Sequence, residues 1–148
     1  MKVSRVIASV FGIGYIPALP GTLGSLAGLL LYAAYFHRLG GAVWGSIAAL
    51  TLVGLFASHK ALQGSGETDP SWIVIDELLG MLVSLAALPL RWPIVLLGFC
   101  LFRFFDIIKL FPLNRLERLP GAWGVLLDDI GAGLYTWFIL QIFLKFTS

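Results

Sequence analysis

Apolar residues form five long runs along the chain, separated by short breaks rich in Gly, Pro and charged residues. A helix needs roughly 17–25 residues to cross a bilayer, so the last three runs are long enough and the first two slightly short. Pro and Gly in the breaks are typical helix terminators. The pattern predicts helices over residues 23–36, 42–57, 72–90, 92–111 and 124–144.

Composition places these helices in a membrane. The chain is 59% hydrophobic and 12% charged, with a mean hydropathy of +0.94, whereas soluble domains are about one-quarter charged. Only helices and closed barrels satisfy the backbone in lipid, and the runs lack the two-residue alternation of barrel strands. We therefore expect an all-α, polytopic membrane helical bundle with four to five membrane-embedded helices, forming one domain over residues 1–148.

Other features exclude several classes of function. The net charge of +2 is small and the basic residues are scattered, so no nucleic-acid surface is expected. Cys100 is the only cysteine and cannot form an internal disulfide. His37 and His59 are isolated and receive no role. The N-terminus resembles a signal peptide but lacks a convincing cleavage pattern, so we expect it to be retained.

The positive-inside rule provides an orientation. With five spans and a cytoplasmic N-terminus, seven basic residues lie inside and three outside. The same arrangement places the acidic clusters described next near the cytoplasmic face, and it predicts a multi-pass protein of the bacterial inner membrane whose site faces the cytoplasm. The inside residues are Lys2, Arg5, Lys60, Arg103, Lys109, Arg115 and Arg118, and the outside ones are Arg38, Arg91 and Lys145.

Five of the eight acidic residues lie within or beside the apolar runs. Carboxylates at membrane depth are costly and usually mark a functional site. Three clusters in so short a chain predict one shared site for a cation. An all-oxygen ligand set suits Mg²⁺, Mn²⁺ or Ca²⁺. The predicted metal ligands are Asp76, Glu77, Asp106, Asp128 and Asp129.

Asp76 and Glu77 stand near the start of a predicted helix. Acids there are mildly favoured by the helix dipole, which is the structural alternative to a ligand role. Gly80 follows Asp76 by four residues and lies on the same face, leaving room for a ligand or a neighbouring helix. Asp129 and Gly133 repeat this spacing. Adjacent Asp128 and Asp129 can both be ligands only near a helix start or in a shared cavity.

Arg103, Asp106 and Lys109 are spaced by three residues and share an arc of roughly 120° on a helix. One interpretation is a self-neutralising ladder of ion pairs. The other is a metal-binding Asp106 flanked by cations that hold phosphate oxygens, a task that suits both Lys and Arg.

A glycine-rich turn supplies a candidate anion cradle. Pro20 and Gly21 predict a turn, and Thr22 or Ser25 can cap the helix that begins there. Such a turn presents backbone N–H groups and a positive dipole end to an anion, although PG turns before helices are common. A metal, cations and an anion cradle together favour phosphoryl transfer.

These motifs resemble the phosphatidylglycerophosphatase A family of bacterial Mg²⁺-dependent lipid phosphatases. The resemblance covers about residues 12–135 and rests on PGTLGS, DPSWIVIDELLGM and FRFFDIIKLFPLNRLERLPGAWGVLLDDIGAGLY. The family's FD-x-x-K-P motif reads FDIIKLFP here, with Pro112 displaced by two residues.

The resemblance implies hydrolysis of phosphatidylglycerophosphate to phosphatidylglycerol and phosphate, with Mg²⁺ as cofactor and a membrane phospholipid as substrate. Two alternatives remain from the residues: a small cation-binding transporter or channel, and a CDP-alcohol phosphotransferase, whose signature is missing. The oligomeric state is open. The expected catalytic residues are Asp76, Glu77, Asp106, Lys109 and Asp129, and the expected substrate-binding residues are Gly21, Thr22, Ser25, Arg103 and Lys109.

Overall fold

A computed structural model describes residues 2–147, and within them the regular structure is entirely helical. This agrees with the predicted all-α class. Short 3₁₀ turns flank the second helix at Ile13–Tyr15 and Phe36–Arg38. The helices are α1 Val3–Ala8, α2 Pro20–Ala34, α3 Ala42–Gln63, α4 Ile75–Leu85, α5 Trp92–Ile108, α6 Leu113–Leu116 and α7 Ala122–Thr147.

Helix α4 is the centre of the bundle and packs against α2, α3, α5 and α7. All of its residues except Glu77 are buried. A helix with apolar side chains on all its faces keeps them away from water only when other helices surround it. The sequence around α4 therefore codes for a core helix.

This corrects the prediction that residues 72–90 form a complete span. With 11 residues, α4 is about 16 Å long, well short of a hydrocarbon core of about 30 Å. The chain leaves the helix at Ala86, and Ala87 takes a left-handed conformation with φ +58°. Pro89 follows, so the apolar run continues without continuing the helix.

Two helices in the described part of the chain are long and apolar enough to cross a membrane, namely α3 with 22 residues and α7 with 26. The run at 42–57 was expected to be slightly short, but its helix continues to Gln63. Large apolar side chains also cover the outside of the bundle; Phe56 is 66% exposed and Trp92 is 74% exposed. Such a surface is typical of contact with lipid. The prediction of four to five embedded helices stays a prediction.

Glycines allow α4 to approach its neighbours closely. A Cβ on Gly28 of α2 would lie 2.5 Å from the Leu78 carbonyl oxygen of α4. A Cβ on Gly133 of α7 would lie 2.4 Å from the Gly80 oxygen, and one on Gly80 would lie 2.7 Å from the Asp129 oxygen. Small residues at such crossings are the usual means of close helix packing in membranes. The paired Gly80 and Gly133 thus serve a helix crossing and leave no space for a ligand.

Candidate active site

Four helix ends meet around one polar cavity of about 250 Å³, which we term the acid cavity. Helices α2 and α4 begin there, α5 ends there, and the first turns of α7 pass beside it. The positive ends of the α2 and α4 dipoles therefore point towards this cavity. Its walls are Pro20, Gly21, Asp69, Pro70, Ser71, Ile73, Asp76, Glu77, Asp106, Lys109, Val125, Asp128 and Asp129.

Three of the predicted ligands form a tight group at the wall of this cavity. Oxygens from Asp76, Glu77 and Asp129 all lie within 4.8 Å of one another. Oxygens on opposite sides of a hard divalent cation are roughly 4–5 Å apart, because each sits about 2.0–2.6 Å from the ion. We call these residues the carboxylate trio. Their spacing fits one Mg²⁺, Mn²⁺ or Ca²⁺ ion.

Each member of the trio also has a buried oxygen without a hydrogen-bond partner. These atoms are Asp76 Oδ1, Glu77 Oε2 and Asp129 Oδ2. Buried polar atoms in native proteins are nearly always paired, and buried charges need a partner or a metal. Three unpaired acceptors on carboxylates that converge at one place are therefore a ligand set that a hard cation would complete.

The close crossing of α4 and α7 brings the trio together. Asp76 and Glu77 occupy the first turn of α4, and Asp129 lies in the second turn of α7. The Gly80 and Gly133 contacts hold the two backbones at van der Waals distance one turn further along each helix. A larger residue at either glycine would move the carboxylates apart.

The two remaining predicted ligands are already paired with cations. Asp106 accepts a hydrogen bond from the Arg103 guanidinium, and Asp128 accepts one from the Lys109 ammonium. Both acids line the acid cavity, and Asp106 is close enough to interact with Asp129. Asp128 Oδ1 also accepts the Asp129 backbone N–H at 3.0 Å.

Only one of the two ion pairs expected in the ladder of Arg103, Asp106 and Lys109 is present. Arg103 pairs with Asp106 as the ladder requires, but Lys109 reaches to Asp128 on α7 and lies 3.4 Å from Glu117. The cause is the backbone: Lys109 caps α5 in a left-handed conformation with φ +52°. That conformation is unfavourable for a residue with a Cβ and persists where the surrounding structure enforces it.

Lys109 is the cation that ties the loop after α5 to α7. Partial burial tends to lower the pKa of its ammonium group, but the hydrogen bond to Asp128 and the nearby charges of Asp129 and Asp106 outweigh burial and raise the pKa. Lys109 is therefore held as a permanent cation at the wall of the acid cavity.

The turn at Pro20 and Gly21 lies at the cavity, but the predicted caps do not. Helix α2 begins at Pro20 after Leu19, with no side-chain cap, so the capping role expected of Thr22 or Ser25 is wrong. Ser25 is fully buried and donates to the Gly21 oxygen at 2.9 Å. Neither side chain lines the acid cavity.

Gly21 itself is closely packed against the charged groups. A Cβ there would lie 2.8 Å from Glu77 Oε1 and 3.3 Å from an Arg103 guanidinium nitrogen. Only glycine leaves those atoms where they are. Arg103 is thus adjacent to the cavity wall without lining it.

Sequence reasoning missed Asp69 and Glu117. Asp69 lines the acid cavity, and Glu117 is the second acidic neighbour of Lys109. Desolvation raises the pKa of Asp69, Lys109 lowers it, and Glu117 and Asp106 raise it further. Both acids stand in polar breaks that were interpreted as connecting loops. The available signal was the position of Asp69 next to Pro70, directly before an apolar run.

Comparisons of the sequence with known proteins identify a family. The sequence model described as phosphatidylglycerophosphatase A matches residues 6–144. A Haemophilus influenzae protein named "Phosphatidylglycerophosphatase A" is 40% identical over 134 residues, which cover 88% of this chain and 82% of the relative. The Escherichia coli protein of that name is 35% identical over 136 residues, covering 88% and 77%.

A third relative carries a different name. A Bacteroides thetaiotaomicron protein named "Putative phosphatidylinositol-3-phosphatase" is 37% identical over 145 residues, covering 93% of this chain and 91% of the relative. No solved structure matches the chain. The family match spans nearly the whole sequence and includes every wall of the acid cavity. This chain belongs to the phosphatidylglycerophosphatase A family and is a phosphatase.

Proposed function

We propose that this protein hydrolyses phosphatidylglycerophosphate to phosphatidylglycerol and inorganic phosphate, in a Mg²⁺-dependent reaction at the cytoplasmic face of a bacterial inner membrane. One observation carries the proposal: in a chain of this phosphatase family, the carboxylates of the trio converge to within 4.8 Å, and each of them has a buried oxygen without a hydrogen-bond partner. The apolar exterior and the two long apolar helices support a site that meets its lipid at the membrane surface.

In this proposal Asp76, Glu77 and Asp129 hold the metal, with Asp106 and Asp128 beside them. A bound Mg²⁺ supplies positive charge that polarises the phosphoryl group and offsets negative charge in the transition state. Lys109 and Arg103 hold the neighbouring carboxylates in place through their ion pairs. They also provide cationic charge around a phosphate at the Gly21 turn, where the N-terminus of α2 lies at the cavity wall.

The hydrolysis breaks one phosphorus–oxygen bond of the monoester and forms another to the incoming oxygen. The released alcohol takes up one proton, and phosphate leaves. Either water attacks directly, or a carboxylate attacks first and water then releases the phosphate from it. Hydrolysis of a substrate whose phosphorus is made chiral by isotopic substitution distinguishes these routes, since one direct attack inverts the configuration at phosphorus and two successive attacks retain it.

A second substrate, phosphatidylinositol 3-phosphate, is favoured by the Bacteroides thetaiotaomicron relative. Both substrates are phosphomonoesters on a diacylglycerol phospholipid, so the trio serves either one. Their headgroups differ in size and in hydroxyl pattern. The substrate identity therefore depends on the walls outside the trio.

Phosphate release from the two lipids in mixed micelles tests both proposals. The purified protein is expected to release phosphate from phosphatidylglycerophosphate with Mg²⁺ and to stop in chelator. Faster release from phosphatidylinositol 3-phosphate would make that lipid the substrate. No release from either lipid under any divalent metal, together with cation movement across vesicles, would refute the enzyme proposal in favour of the transporter alternative.

A further inference from the structure

Three neighbouring cavities lead from the helix ends at the acid cavity to the side of the bundle between α3 and the start of α7. The first is the acid cavity. A second, also of about 250 Å³, shares Asp69 and Val125 with it. A third, of about 500 Å³, shares Pro120 and Gly121 with the second. The shared lining residues show that each cavity adjoins the next.

The chemistry of the walls changes along this series. Six of the thirteen residues that line the acid cavity are carboxylates, and the polar residues of the middle cavity include Thr68, Glu117 and Arg118. The third cavity, which we term the apolar groove, is walled by Leu52, Leu55, Phe56 and Trp123 together with His59 and residues 120–122. The walls thus become less polar from the acid cavity through the middle cavity to the apolar groove.

The apolar groove is open towards the outer surface of α3, whose exposed side chains are apolar enough to contact lipid. Leu52 is 69% exposed and Phe56 is 66% exposed, and both belong to α3, which is long and apolar enough to cross a membrane. Trp123, 53% exposed, stands at the start of α7. A Trp in this position is typical of the interface between hydrocarbon and headgroups.

Gly121 borders both the middle cavity and the apolar groove. Its φ of +64° favours glycine, and no atom lies within 4 Å of the place where a Cβ would stand. The space beside Gly121, where the two cavities adjoin, is therefore free of neighbouring atoms.

A phospholipid that ends in a phosphomonoester has the same order of chemical groups. The monoester comes first, then a polar alcohol and a phosphodiester, and finally the acyl chains. We propose that the apolar groove binds an acyl chain of the substrate, while Arg118 in the middle cavity faces the phosphodiester and the monoester reaches the trio. The inference rests on the proposed function for the identity of the substrate, but the groove's occupant can be tested without turnover.

Filling the groove tests the inference by kinetics. Leu52→Trp places a larger side chain in the groove, and Val53→Trp makes the same change at a neighbouring exposed position that does not line it. With dioleoyl phosphatidylglycerophosphate, Leu52→Trp is expected to raise KM about tenfold and to leave kcat unchanged. Val53→Trp is expected to keep the parent KM. Equal KM values for the two variants would overturn the inference.

Photocross-linking tests the same site without requiring activity. A phospholipid with a terminal phosphomonoester and a diazirine at the end of one acyl chain is the probe. Labelling is expected at α3 and the start of α7, and it is expected to fall with excess unlabelled phosphomonoester lipid but not with phosphatidylcholine. Labelling that phosphatidylcholine removes equally would show only surrounding bilayer lipid and would overturn the inference.

The two experiments separate the possible failures. If the protein releases no lipid phosphate but the competed label still maps to the groove, the proposed function fails and the groove assignment stands. If phosphate release is normal and Leu52→Trp matches Val53→Trp, the groove assignment fails and the proposed function stands.

Discussion

The two ends of the bundle treat buried polar groups in opposite ways. At the end away from the acid cavity, Tyr32 donates to the Leu88 oxygen at 2.7 Å and accepts the Leu88 N–H at 3.1 Å. The Trp137 indole N–H donates to the Ala86 oxygen at 2.8 Å. These bonds fix the loop between α4 and α5. At the acid cavity, the trio leaves three buried oxygens without partners.

The contrast indicates that the two ends of the bundle have different roles. The chain can satisfy buried polar groups, since it does so at the loop between α4 and α5, and neutral bonds there stabilise the fold. At the acid cavity, the ion pairs of the described residues join cations to Asp106 and Asp128 but not to the trio. Unpaired buried carboxylates are costly. A ligand that binds during function offsets this cost, because it replaces the missing partners.

The largest effect is expected from Asp129→Asn, which keeps the size of the side chain and removes its charge. We expect phosphate release to fall by about 10³-fold or more, because a metal contributes several kcal/mol of charge stabilisation and each 1.4 kcal/mol is about tenfold in rate. Phosphate release at saturating Mg²⁺ measures this loss. Activity within tenfold of the parent would remove Asp129 from the metal site.

Thermal unfolding is the control for Asp129→Asn. Without divalent metal, the variant is expected to be at least as stable as the parent, because one unpaired buried charge is gone. Adding Mg²⁺ at about 100 times its Kd is expected to stabilise the parent by about 2.7 kcal/mol and the variant by much less. Equal stabilisation of both proteins would contradict a metal on the trio.

The second-largest effect is expected when the cation paired with a buried acid is removed. Lys109→Ala is expected to lower kcat by roughly 10²–10³, as loss of one donor to developing charge usually does. It also leaves Asp128 buried without its cation, and we expect a loss of about 1–3 kcal/mol of stability, less than for a fully buried pair because Lys109 is partly exposed. Initial rates and denaturant unfolding measure the two losses.

A double variant separates these two roles of Lys109. Adding Asp128→Asn to Lys109→Ala removes the uncompensated charge and is expected to restore most of the stability while activity stays low. If the double variant regained activity, Lys109 would act only by neutralising Asp128. Near-parent activity in Lys109→Ala alone would make it a surface lysine.

Stability and Mg²⁺ binding together test the glycine crossing that assembles the trio. Gly133→Ala introduces a Cβ only 2.4 Å from the Gly80 oxygen. Separating α4 from α7 is expected to cost about 1–3 kcal/mol of stability and to weaken Mg²⁺ binding. Gly45→Ala on α3 is the matched control, because nothing lies within 4 Å of its added Cβ. It is expected to be neutral or stabilising by up to about 1 kcal/mol.

The sequence identified the acids because intramembrane charges stand out against apolar surroundings. Asp76, Glu77 and Asp129 were predicted as ligands, and the structure places their oxygens within 4.8 Å. Which acids are paired could not be predicted. Lys109 lies three residues from Asp106, yet its left-handed backbone turns it towards Asp128, 19 residues away. Sequence spacing describes only a regular helix, and α5 has ended before this residue.

Helix lengths were the weaker part of the sequence analysis. Hydropathy reports whether residues avoid water, and both a core helix and a membrane span do so. The run at 72–90 therefore appeared to be a complete span, although only Ile75–Leu85 is helical. Asp69 was missed for the opposite reason, since it lies in a polar segment that only the fold brings to the acid cavity.

The smallest effect on activity is expected at the opposite end of the bundle. Tyr32→Phe removes the hydroxyl that bonds both the N–H and the oxygen of Leu88, and Tyr32 is only 1% exposed. We expect a loss of about 1–3 kcal/mol in stability, because two backbone groups lose their partner. Phosphate release per folded molecule and the Mg²⁺-dependent stabilisation are expected to stay at parent values, because this bond lies at the far ends of α2 and α4. A changed response to Mg²⁺ would show that the two ends are coupled through α4, and the loop between α4 and α5 would then help to position the carboxylate trio.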